Sequence, residues 1–267
     1  MTMDVFYWFL YFVTYSFMGW VYESTLCSIT GKKLVNRGFL NGPVCPVYGF
    51  GAVLVVYSFY GRGTDFLPLF LSSMVLATVV EYLTSVILEE FFHARWWDYS
   101  GRPFNVHGRV YLTGSLVFAA LSVLIINHIH PQVSGYLSTL PQSVIVYFSV
   151  ALFLLLAVDL FVTVRHLLLL NVRIAAVKEE FDRLIREGEV KLEDLLHMLQ
   201  NKIEDTAIYT DKVKALFQKG RIQNRRIFNA FPEIMPLKNR EIFIKLKTTY
   251  LENRKKLDDR ISKMRDL

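Results

Sequence analysis

The sequence predicts an all-α membrane protein: a five-span helical bundle, N-terminus outside and C-terminus inside, followed by a cytoplasmic helical or coiled-coil tail. Three observations carry this reading. The chain of 267 residues is 53% hydrophobic, 15% aromatic and only 20% charged. Its charge is unevenly placed: residues 171–267 hold 22 Lys and Arg against 16 Asp and Glu, and residues 1–170 hold eight of each, so the tail carries the whole net charge of +6. Five apolar stretches approach the length of about 20 residues that a bilayer requires. Such a composition excludes a disordered chain, a disulfide scaffold and an ordinary soluble enzyme.

The spans fall near 5–27, 44–60, 66–92, 109–129 and 143–168, so residues 1–170 form the membrane bundle and 171–267 a basic helical domain. Strands are not expected, because a single span in lipid must satisfy its own backbone. Lys32, Lys33 and Arg37 follow the first span, and Arg95, Arg102 and Arg109 follow the third. The opposite loops carry only Arg62 in 61–65 and no Lys or Arg in 130–142. Basic loops stay cytoplasmic, which orients all five spans consistently in the plasma membrane. The first span lacks a basic leader and a small-residue cleavage site, and reads as an anchor.

Tyr7, Trp8, Trp96 and Trp97 lie near span ends, as interfacial anchors do. Cys27 and Cys45 map to the reducing face, where a disulfide is not expected. The spacing of His93 and His107 does not build a zinc site with them, so no metal is expected. The Asn127-His128-Ile129-His130 run reads as a solvated outer loop.

In the tail, Leu192, Leu195, Leu196, Leu199 and Ile203 recur at helical spacing. Gly220 interrupts, Phe231-Pro232 and Pro236 mark a turn, and a last helix is expected from about Lys238 through Ile242, Leu246, Leu257 and Ile261. Helices of this kind pack on one another or on a second copy. Their Lys and Arg also suit an anionic lipid surface. With so many acids among the bases and no reading motif, nucleic acid is not an expected partner.

Ionisable residues inside spans cost about 2.5–3.5 kcal/mol at the bilayer centre on insertion scales, so each needs a reason. Ser73, Ala77, Glu81, Ser85 and Glu89 follow at four-residue intervals and share one face of the third span. Tyr15, Gly19 and Glu23 form a similar stripe in the first, and Asp159 and Thr163 lie one turn apart in the fifth. Glu23, Glu81, Glu89 and Asp159 all fall in the cytoplasmic half and could share a cavity open to the inside. Simpler fates stand beside that one. Glu89 and Glu90 lie where headgroups solvate them, Glu23 can pair with Arg37, and Asp159 can pair with Arg165 or His166.

Two inner loops add candidates. Residues 36–51 (Asn36-Arg37-Gly38-Phe39-Leu40-Asn41-Gly42-Pro43-Val44-Cys45-Pro46-Val47-Tyr48-Gly49-Phe50-Gly51) suggest irregular or re-entrant backbone, or else a plain turn. Arg37, Asn41 and free N–H groups there could hold an anion. Gly49-Phe50-Gly51 is not a dinucleotide motif, because no strand precedes it. Residues 95–109 gather Arg95, Asp98, Arg102, Asn105, His107 and Arg109. Arg95 and Asp98 can pair to fix this loop, or the group can bind polar cargo beside the carboxylates.

Gly19-Trp20 with Glu23, Asn36 to Gly51, Arg95 to Arg109 and the tail segment Arg225-Arg226-Ile227-Phe228-Asn229-Ala230-Phe231-Pro232 resemble a bacterial polytopic membrane family, the CmpB-like ABC-transporter type IV permeases. The resemblance spans nearly the whole chain and implies a transport subunit without naming a cargo. His107 stands where the family pattern suggests a more variable or Asn-like residue. No Gly-x-x-x-x-Gly-Lys-[Ser/Thr] loop occurs, so an ABC system would need a separate ATPase on the cytoplasmic face, with this chain as half of a dimeric permease. No cofactor is implied. Two other readings stay open: an integral-membrane enzyme using these carboxylates on a lipid-linked substrate at the inner leaflet, and a scaffold recruiting partners through its tail. Against the enzyme, Ser24, Cys27 and Cys45 have no adjacent His.

Overall fold

A computed structural model of the chain describes residues 2–32, 34–186, 221–237 and 243–244. The readings at Leu192 to Ile203, at Gly220 and for the helix from Lys238 lie outside these residues, apart from Phe243 and Ile244, which are helical. In chain order the elements are α1 (Thr2–Gly31), α2 (Pro46–Phe59), α3 (Phe66–Phe92), β1 (Ala94–Arg95), β2 (Asn105–Val106), β3 (Val110–Tyr111) and α4 (Leu112–Leu124). A π-helical turn, Ile125–Ile129, then joins α4 to α5 (His130–Ser138), followed by α6 (Gln142–Arg186), α7 (Arg221–Ala230) and β4 (Met235–Pro236).

Among the described residues, three helices are long and apolar enough to cross a membrane: Phe66–Phe92, Leu112–Ser138 and Gln142–Leu170. Their surfaces agree with that length. Leu67, Leu71, Val75, Val79, Leu83 and Ile87 are exposed along α3, an apolar face that lipid would cover. α1 has the length, at 30 residues, but Tyr, Ser, Thr and Glu23 break its apolar run. α2 is apolar but only 14 residues long.

The chain divides into two compact units, 1–89 with 97–163, and 90–96 with 164–267. In the first, α1 packs against α2 along a seam set by Gly19 and Gly49. A Cβ on Gly19 would overlap the Tyr48 side chain, and one on Gly49 would overlap Ser16 Oγ and lie 2.6 Å from the Phe12 carbonyl. Small residues at such contacts are how apolar helices approach closely in lipid. Apolar clusters continue the core: Leu10 with Leu137 and Ile145, Tyr15 with Ala52 and Val56, and Val55 with Leu69 and Ile126. Thr78 Oγ1 donates to Ser115 Oγ at 2.8 Å, a polar tie between α3 and α4.

In the second unit, β1 pairs antiparallel with β4, and Leu237 N donates to the His93 carbonyl at 2.9 Å. Trp96 is buried edge-on against Phe92 at 5.7 Å and Phe231 at 4.9 Å, and Phe228 is fully buried beside Phe243. The Phe231-Pro232 turn follows α7, where the sequence put it.

Several expectations are corrected. The fourth apolar helix begins at Leu112 and runs through the π turn to Ser138, so His130 is a buried helical residue and not part of a solvated loop. Pro131 follows the π turn directly, and such a bulge is where a continuous helix absorbs a break in its hydrogen-bond ladder. Among the described residues, two-residue ladders do form, β2 with β3 and β1 with β4, all outside the apolar helices. Trp96 is a core residue, and Trp97 is half-buried with Nε1 donating to the Arg109 carbonyl at 2.8 Å. Neither is a free interfacial anchor.

Candidate functional site

The α3 stripe faces inward as its spacing requires. Ser73, Glu81 and Ser85 are buried, and Ala77 and Glu89 are half-buried. Glu81 stands out among them, because its Oε2 is buried without a hydrogen-bond partner among the described residues. The two loops, 34–45 and 97–110, are tied down by side chains from three helices.

The first loop is held to α1 by alternating side-chain and backbone bonds. Asn36 Oδ1 accepts from Trp20 Nε1 at 2.7 Å and from Gly38 N at 2.9 Å, while its Nδ2 donates to the Asn41 carbonyl at 3.1 Å. Ser28 Oγ accepts from Val35 N at 3.0 Å, and Ser24 Oγ from Arg37 N at 3.2 Å. Cys45 N donates to the Ser16 carbonyl at 2.9 Å. Because Gly19 has no side chain, the Tyr48 ring lies on α1 one turn before Glu23, and its hydroxyl donates to Glu23 Oε1. Arg37 Nε stands 3.6 Å from Glu23 Oε2, the pairing expected from their charges. Both cysteines are free thiols, and Cys27 Sγ lies 4.0 Å from Glu23 Oε2.

Asp159 closes the same loop onto α6. Its Oδ1 accepts from Asn41 N at 3.0 Å, Asn41 Nδ2 at 2.8 Å and Thr163 Oγ1 at 3.2 Å, and its Oδ2 accepts from Gly42 N at 2.7 Å. Asn41 and Gly42 thus take the place that the sequence offered to Arg165 or His166. A carboxylate that receives backbone N–H groups in this way is a fastener for irregular backbone.

The second loop is held to α3 by Arg109. Its Nη1 lies 2.8 Å from Glu89 Oε2 and donates to Ser85 Oγ at 3.1 Å, and the guanidinium stands 5.8 Å from the Tyr82 ring centre. Tyr82 hydroxyl in turn meets His107 Nδ1 at 3.0 Å. His107 has φ 54°, in the left-handed region where Asn, Asp and His are enriched, which explains why an Asn-like residue suits the position. Glu89 is therefore ion-paired rather than left to headgroups. Asn105 Nδ2 donates to the Arg102 carbonyl at 2.7 Å, its Oδ1 accepts from Gly108 N at 2.9 Å, and Asp98 Oδ1 accepts from Ser100 N at 2.9 Å. These two residues shape the loop. Arg95 belongs to the other unit, on β1.

Tyr99 packs 4.6 Å from Tyr111, and its phenol is held above the ordinary value first by burial, then by the Glu81 and Glu23 carboxylates and Tyr111, with Arg37 opposing. Glu81, Glu23, Tyr99 and Arg37 therefore share one electrostatic neighbourhood. Asp159 and the Arg109–Glu89 pair frame it through the two loops.

Tyr48, Asn36, Trp20, Tyr82 and Tyr99 were not among the residues singled out for the site. Aromatics at span ends read as interfacial anchors, and no local spacing sets the Tyr48 ring over Gly19, a contact between residues on two helices. The family model described as Putative ABC-transporter type IV matches residues 10–164, which include both loops and every residue of this cluster. No curated protein and no solved structure matches the chain. With more than half its length matched, the chain belongs to the Putative ABC-transporter type IV family.

Proposed function

We propose that the chain is the permease-like membrane subunit of a transport system, with Glu81 as the carboxylate of a route open to the cytoplasm. The observation that carries this reading is Glu81 Oε2, buried and without a hydrogen-bond partner among the described residues, on the inward stripe of a helix whose other face is apolar. A carboxylate so placed costs free energy unless it holds a proton or meets a donor or cation on the cargo. Glu23 and Arg37 beside it, already paired, set the charge that the cargo meets. Asp159 and Arg109 hold the two loops so that their irregular backbone can sit at membrane depth.

In this reading the chain crosses the plasma membrane five times, N-terminus outside and tail inside. α1 is long enough for the bilayer, and α2 reaches across together with the tied 34–45 segment before it. At about 1.5 Å per residue, the 14 residues of α2 alone fall short of the hydrocarbon thickness. Energy comes from a separate ATPase at the cytoplasmic face, and a second copy of the chain completes the permease. The basic tail or the inner loops supply the docking surface.

Affinity purification of the tagged full-length protein from its native membrane, in mild detergent, with mass spectrometry of proteins and lipids together, tests this reading. Reproducible recovery of a nucleotide-binding subunit is the expected result. Recovery of a modified lipid and no ATPase would replace transport with lipid-directed enzymology.

A further inference from the structure

At the N-terminal end of α1, about 22 Å along that helix from Glu23, lies a separate hollow of about 460 Å³. Asp4, Trp8 and Tyr11 of α1, Tyr57 and Tyr60 at the end of α2, and His130 of α5 form its walls. Adjacent rings stand edge to face. Trp8 makes 84° with Tyr11 at 5.6 Å and 69° with Tyr57 at 5.8 Å, and His130 makes 73° with Tyr11 at 4.9 Å and 84° with Tyr60 at 4.4 Å. Rings arranged this way wall a hollow from several directions, where stacked rings would close it.

His130 is placed in that wall by two features. The π-helical turn at Ile125–Ile129 shifts the helix register immediately before it, and such turns recur at functional sites. Tyr15, almost wholly buried, hydrogen-bonds His130 Nδ1 at 2.6 Å and fixes the ring plane. Aromatic faces attract cations through their negative quadrupole. No Lys or Arg lines the hollow among the described residues.

The geometry points to a binding site for a compact organic cation, a quaternary or protonated tertiary ammonium, held by the Trp8, Tyr11, Tyr57, Tyr60 and His130 rings. The cage stands whether or not the chain is a transporter, since it lies at the opposite end of α1 from the Glu81 cluster.

Calorimetric titration of the purified full-length protein with choline, and with its neutral isostere 3,3-dimethylbutan-1-ol, tests the site. Saturable binding of choline and at least tenfold weaker binding of the alcohol are expected. Trp8→Leu should weaken choline between about 2- and 30-fold, as the loss of one cation–π contact allows, while Trp8→Phe keeps most of the affinity. Tyr57 is largely exposed, so Tyr57→Leu gives the same readout without disturbing the core. Repeating the titration in nanodiscs separates the two sources of an ammonium group. Weaker choline binding in phosphatidylcholine than in phosphatidylglycerol identifies a lipid headgroup, and equal binding identifies a free ligand. Equal affinity for choline and the alcohol, no saturable choline binding, or full affinity in both Leu variants would overturn the proposal.

Discussion

Replacing Asp159 by Ala tests whether one carboxylate fastens the first inner loop to α6. Three of its accepted hydrogen bonds come from the loop: Asn41 N at 3.0 Å, Asn41 Nδ2 at 2.8 Å and Gly42 N at 2.7 Å. Bonds to an ionised acceptor contribute about 1.5–3 kcal/mol each when fully formed. Asp159 is only half-buried, and Asn41 Nδ2 keeps Thr163 Oγ1 at 3.0 Å as a second acceptor, so the sum must be discounted. A net loss of about 2–3 kcal/mol is reasonable for the loop as a unit, and the non-additivity of neighbouring bonds argues against a larger figure. That corresponds to about 30–150-fold in the opening equilibrium. Hydrogen exchange read by mass spectrometry on peptides covering residues 38–45 should therefore quicken by that factor. Peptides from α5, which do not touch the loop, should exchange as before. Asp159→Asn should lie between, because its amide keeps one acceptor but turns a donor toward another donor. Unchanged exchange at 38–45 in Asp159→Ala would refute the fastening role.

Gly19→Ala drives a methyl into Tyr48 and should lower stability by about 1–3 kcal/mol as overpacking does. Gly51→Ala, with no atom within 4 Å of the new methyl, should instead raise stability by about 0.5–1 kcal/mol; thermal unfolding in detergent measures both signs. Arg109 meets Glu89 and Ser85 through the single nitrogen Nη1, so Arg109→Gln, which removes the charge, should cost about 1.5–3 kcal/mol, read as a lower unfolding midpoint, and Arg109→Lys, whose ammonium can donate to both, should cost less. Trp96→Ala empties the contact between Phe92 and Phe231 and should cost about 3–5 kcal/mol locally. Its readout is lost exchange protection at the Leu237 amide, which bonds the His93 carbonyl.

The inward stripe of α3 was legible because helical periodicity is a strictly local property: Ser73, Glu81 and Ser85 at four-residue spacing had to share a face, and all three are buried. The Glu23–Arg37 pair was legible for a similar reason, since few charges are available in an apolar chain. Asp159 was recognised as a residue needing a partner, but its partners lie 117 and 118 positions away in the chain, and no local rule selects Asn41 and Gly42 over Arg165. The aromatic hollow was not legible at all. Tyr7 and Trp8 look like interfacial anchors, and His130 looks like a loop residue before a proline. Only the π turn, which no spacing announces, carries His130 inside. Helix ends failed in the same place and for the same reason, because Pro131 follows the π turn, where a continuous helix absorbs a break in its hydrogen-bond ladder.

In the proposed route Glu81 serves the cargo rather than the fold, and cellular profiling of Glu81 variants decides between the two. Cells lacking the chain are complemented with the wild type, Glu81→Gln or Glu81→Ala, matched for protein in the membrane, and their metabolites and lipids are compared. The account expects a small molecule that accumulates or is depleted without the chain, is restored by the wild type, and is restored by neither substitution. Full restoration by both Glu81→Gln and Glu81→Ala would contradict it.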